Sequence, residues 1–150
     1  DQPLELSGFK QQLADIEQLL RGDRAGFDAA MAAVIDQLAG PLPPAERRRL
    51  DSTRRADQQV VLGIWEPVLT SSAADLDALV EQLASSITAP YLSLFGSDPG
   101  PGYAAWLQRV IPHAEVEVWP GLGHYPHLVE PRRFLERLQA FDRAVSDRSG

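Results

Sequence analysis

The spacing of apolar residues changes near residue 87, and that change limits what this chain can fold into. From Gly8 to Ser86 apolar side chains recur every three or four positions: Phe9, Leu13, Ile16, Leu19 and Leu20, then Phe27, Ala30, Met31, Val34, Ile35 and Leu38. This is the period of helices buried on one side, and at least four of them are expected. Their breaks fall at Gly22 and Gly26, at the GPLPP run of 40–44, and at Glu66-Pro67, where the proline ring pushes the preceding residue out of helical geometry. Pro44 suits the first turn of the arginine-rich helix after it, where a missing N–H costs nothing. Ser72 and Asp75 have the spacing of a capping box ahead of Leu76, Leu79, Val80 and Leu83.

After Thr88 strand-like and helix-like runs alternate. Tyr91 to Phe95 is a short apolar run opened by Pro90 and closed by Gly96, as in a strand covered on both faces of a parallel sheet. Tyr103, Trp106, Leu107, Val110 and Ile111 trace a helix stopped by Pro112. Ala114 to Trp119 alternates like a half-exposed edge strand. A last helix starts at Pro131 and aligns Phe134, Leu135, Leu138, Phe141 and Val145, with the final DRSG expected to fray. The succession over 88–145 is a βαβ unit with one further helix, which predicts an α/β fold with a parallel sheet. Two strands do not make a stable open sheet, so strands from another segment or chain are expected beside them.

Hydrophobic residues make up 44% and charged residues 23% of the 150, a globular rather than a disordered composition. Acidic residues outnumber basic ones, 21 to 14, so neither nucleic acid nor an anionic membrane is an expected partner. The absence of cysteine removes disulfides, thiolate metal sites and a cysteine nucleophile. The 3 histidines lack carboxylates at ligand spacing, and neither a metal nor another cofactor is expected. No apolar run approaches the ~18 residues of a membrane span, the start DQPLELSG is unlike a signal peptide, and a cytoplasmic location is expected. Asp1 in place of an initiating methionine reads as a processing boundary.

The two loops that follow the strands open at the same sheet edge, where α/β proteins place their chemistry. The first, Gly96-Ser97-Asp98-Pro99-Gly100, carries an acid; the second, Pro120-Gly121-Leu122-Gly123-His124-Tyr125-Pro126-His127, carries a histidine. A carboxylate beside an imidazole can hold one tautomer and stabilise the imidazolium, the last two members of a nucleophile–His–acid set. Gly121 and Gly123 let backbone approach closely around the ring. His127 is read as a structural partner of its loop, and Tyr125 as pocket wall or surface. Arg47, Arg48, Arg49, Arg54 and Arg55 alternate with Glu46, Asp51 and Asp57 and read as a solvated face. Phe27, Met31, Trp65 and Leu69 read as core.

The stretch TAPYLSLFGSDPGPGYAAWLQRVIPHAEVEVWPGLGHYPHLVEPRRFLERLQAFD, residues 88–142, resembles the carboxyl-terminal end of an α/β-hydrolase fold enzyme. In that family the penultimate strand leads into the loop of the catalytic acid and the last strand into a Gly-x-Gly-His loop with the catalytic base. The resemblance therefore implies Asp98 as acid and His124 as base, with Pro126, His127, Pro131 and Phe134 continuing the family's pattern. It further implies that residues 1–86 form a helical lid and residues 87–150 the carboxyl-terminal part of the hydrolase core. Asp1 is a second candidate for the acid, because some members carry it after an earlier strand.

The family's nucleophile sits in a Gly-x-Ser-x-Gly elbow or its Asp equivalent, and no serine here lies in that pattern. Gly96 to Gly100 matches Gly-x-Asp-x-Gly formally, but Pro99 has no N–H to offer an oxyanion. The expected function is hydrolysis of an ester, amide, epoxide or related bond in a small-molecule substrate. The nucleophile would come from a missing amino-terminal half, on the same or a second polypeptide. The alternative is a non-catalytic binding or interaction module.

Overall fold

Three side chains start helices by taking up backbone N–H groups that the first turn leaves unpaired. Asp23 accepts from Gly26 N at 2.8 Å, Asp57 from Val60 N at 3.1 Å, and Ser72 from Asp75 N at 3.1 Å. The Ser72 hydroxyl also donates to Asp75 Oδ2 at 2.7 Å. In a computed structural model, which describes residues 4–149, these caps open α3 (Arg24–Ala39), α5 (Gln58–Thr70) and α6 (Ala73–Ser85). With α1 (Ser7–Ala14), α2 (Glu17–Arg21) and α4 (Pro44–Thr53, proline at its first turn) they form the amino-terminal half. Leu13, Leu20, Phe27, Ala30, Val68 and Leu76 interlock as its core.

One expected break is absent, because α5 runs through Pro67. Proline removes a single helical hydrogen bond there. The turn after it still closes, Ser71 N donating to Pro67 O at 3.1 Å, and burial of Val68 with Trp65 against the core holds the segment.

The second half contains β1 (Tyr91–Phe95), α7 (Tyr103–Val110), β2 (Ala114–Val118), the short α8 (Pro126–Val129) and α9 (Pro131–Ser149), which stays helical through Arg148. The strands are parallel, with Tyr91 opposite Ala114 and Phe95 opposite Val118. Phe95 and Ala114 pack with Tyr103, Leu107, Val110 and Ile111 from the α7 side, and Ala84 of α6 joins them. Helix α6 thus ends in this core while its Leu76 lies in the other.

The expected α/β-hydrolase-type parallel sheet, as the carboxyl-terminal part of such a fold after a helical lid, is not what the chain forms. The structure is 66% helical, and its sheet has only β1 and β2 among the described residues. The reason is physical: two strand-like runs, however clear, supply two strands, and every other apolar run has a helical period. Nor is β1 buried on both faces. Ser93 and Phe95 are buried, whereas Leu92 and Leu94 on the other face are half-exposed beside Glu115 and Glu117. That face meets α9 through charge: Arg137 donates to Glu117 at 2.5 Å and to Glu115 at 2.7 Å, and the Arg133 guanidinium lies 4.0 Å from the Trp119 ring centre. Among the described residues, no helix is long and apolar enough to cross a membrane.

Candidate active site

The loop after β2 is pinned by backbone contacts that only glycine permits. Trp119 N donates to Phe95 O at 2.7 Å, and Leu122 N and Gly123 N both donate to Gly96 O, at 2.9 and 3.1 Å. A Cβ on Gly96 would lie 2.0 Å from Gly123 O, which no side-chain rotation relieves. On the far side Gly123 meets Gly40, just past the end of α3: a Cβ on Gly40 would lie 2.8 Å from Gly123 Cα, and both residues have positive φ. His124 N then donates to Leu38 O at 2.8 Å. The histidine loop is therefore clamped between the end of β1 and the end of α3.

This clamp sets His124 in a cleft of about 550 Å³ between the two halves. Asp98, Ser97 and Phe95 line it from the β1 side, with Phe9, Leu13 and Ile16 of the α1 region, Val34 and Leu38 of α3, and Trp65 of α5 opposite. The His124 ring is half-buried and stands edge-on to Tyr125 at 5.2 Å between centres. Burial lowers its pKa below the ordinary 6.5, which leaves the imidazole neutral near pH 7. Burial lowers His127 as well, with the positive charge of Arg49, and of His124 when protonated, acting the same way. His127 packs beside Tyr125 and Phe134, as a loop partner would.

Asp98 and His124 share the cleft, but no hydrogen bond joins them among the described residues. The Asp98 carboxylate accepts from Gly100 N at 2.9 Å, closing its own loop. Asp1, the second candidate acid, lies outside the described residues. Among the described residues there is no group of three or more His, Cys, Asp or Glu that could hold a metal ion. The arginine run lies on α4 and just past its end, and on α4 Arg47 pairs with Asp36 and Asp51 and Arg49 with Glu46.

Several residues of the site carried no signal in the sequence. Gly40 reads there as a helix break, and Leu38, Gln12 and Gln37 as ordinary helix positions; their roles come from where α1 and α3 end relative to the β2 loop. No protein-family model, curated protein or solved structure matches this chain.

Proposed function

We propose that the chain supplies the general base of a hydrolase acting on an ester, amide, epoxide or related bond in a small molecule. His124 takes the proton of a nucleophile, or of water where the nucleophile is an Asp, and Asp98 acts as the acid beside it. The single observation that carries this reading is a neutral, half-buried imidazole held at a cleft by its own backbone N–H, in a loop that cannot shift without breaking the glycine contacts. Catalytic hydrogen bonds tighten when substrate binds, so the Asp98 to Gly100 link is read as a resting arrangement. The nucleophile and oxyanion donors come from polypeptide beyond this sequence, which has no nucleophile elbow, and the proposed location is the cytoplasm.

The test is a serine-directed fluorophosphonate applied to the protein in its native assembly, together with hydrolysis by His124→Ala. Labelling that His124→Ala abolishes, with turnover falling at least a hundredfold, is expected. Activity retained within a few-fold sinks the assignment. The second reading, a non-catalytic binding module, is favoured by the absence of a bond between Asp98 and His124 among the described residues. It predicts no labelling and ligand binding that survives His124→Ala.

A further inference from the structure

The cleft at His124 has a chemical character beyond its size. Its volume, about 550 Å³, is that of a pocket for a small organic ligand. Phe9, Ile16, Val34 and Trp65 give it an apolar wall, with Trp65 set edge-on against Phe9 at 5.6 Å between ring centres. Its charged groups are the carboxylates of Glu5 and Asp98, and neither lysine nor arginine lines it among the described residues. Two neutral amides, Gln12 on α1 and Gln37 on α3, also face it, and neither makes a hydrogen bond within the described chain.

We propose that this cleft takes an uncharged, largely apolar small molecule bearing a carbonyl or hydroxyl group, and turns away anionic ones. The ligand's apolar body gains by leaving water against the aromatic and aliphatic wall. Its polar group pairs with the Gln12 and Gln37 amides, which can both donate and accept. An anion meets two carboxylates with no lysine or arginine among the described lining residues to offset them, in a chain whose net charge is already −7. The inference rests on the base reading only for what happens to the ligand after it binds.

Two fluorescent probes with one ring skeleton isolate the charge: N-phenylnaphthylamine, which is neutral, and anilinonaphthalene sulfonate, which adds a sulfonate. Each is titrated into the full chain at low salt, following probe emission and energy transfer from tryptophan, of which, among the described residues, only Trp65 lines the cleft. The neutral probe is expected to bind at least tenfold more tightly than the sulfonate. Val34→Trp, which fills the cleft, should abolish its binding. Gln37→Lys, an exposed change, should narrow the gap between the probes about fivefold, and this variant decides the matter if circular dichroism shows Val34→Trp unfolded. Equal or tighter binding of the sulfonate overturns the proposal, as does neutral-probe binding that folded Val34→Trp leaves intact, or no binding of either probe. These titrations need no nucleophile, so their failure is separate from a failure of the His124→Ala and phosphonate tests.

Discussion

The helical half and the strand-bearing half solve the same problem by different means. In α1 to α6 each backbone polar group finds its partner one turn away, so the helices close around Phe27 and Leu76 with nothing left to pair except their ends, three of which are capped by side chains. In the second half β1 and β2 pair only with each other among the described residues, and their outward face is held to α9 by arginine and glutamate. The lesson is that a helical core tolerates independent assembly, whereas a narrow sheet depends on what crosses it. Here that is α6 from one side and the histidine loop from its end.

The strongest way to break the comparison is to empty each core in turn. Phe27→Ala and Leu107→Ala remove fully buried side chains and should cost about 3–5 and about 2–5 kcal/mol. Because α6 enters both cores, each should shift one shared urea transition; two separate transitions would show that the halves fold independently.

A second contrast uses the same substitution in both halves. Gly96→Ala puts a methyl group onto the Gly123 carbonyl and should destabilise by about 3 kcal/mol while displacing His124. Gly63→Ala, in the middle of α5 with nothing within 4 Å of its added carbon, should stabilise by about 0.5–1 kcal/mol. A thermal melt giving both the same sign would refute the claim that glycine is required in one half and incidental in the other.

Arg137→Met removes the pairs of Arg137 with Glu115 and Glu117, leaving Glu115 only its 3.7 Å pair with Arg148 of α9, and should cost about 1 kcal/mol, less at high salt. Burial alone would raise the Glu117 pKa, but hydrogen bonds from Arg137 and Trp119, with the charges of Arg137 and Arg133, hold it below 4.5. Its contribution is therefore present above that value and lost as pH falls through the lower folded pKa.

The smallest expected effect separates the site from this link by pH. The folded His124 titrates below 6.5, so as pH falls the unfolded chain takes up the proton first, and stability declines from about 6.5 down to the folded pKa. Above 6.5 the residue contributes no slope. His124→Gln should lessen the decline in that window, to which His127 also contributes, and leave the drop below 4.5 unchanged; the proposed general-base activity, needing neutral imidazole, should have its acid limb below 6.5.

Local elements were legible wherever one run of residues decides them. Tyr91–Phe95 and Ala114–Val118 form strands within the expected runs, Pro131 starts the last helix, and Ser72 with Asp75 caps α6. Pro67 misled because a helix with one buried side survives the loss of one hydrogen bond. The sheet misled more seriously, because a resemblance over residues 88–142 carried the family's architecture with it, while the described residues form only a pair of strands. At the site, the loops of Asp98 and His124 could be located from glycine and strand pattern. That Asp98, among the described residues, bonds within its own loop and not to His124 could not, since it depends on a loop turn in which Asp98 accepts from Gly100 N.

By itself the sequence determined the two strand segments, the helical character of the rest, the cap at Ser72 and that His124 sits on a glycine-flanked loop; these follow from contacts within a few residues. Only the tertiary structure decided that the sheet has two strands among the described residues, that α6 joins two cores, and that Gly40 and Leu38 of the helical half clamp the histidine loop. Those depend on residues that are distant in the chain, such as 40 and 123, reaching van der Waals contact. No local period or motif encodes that approach.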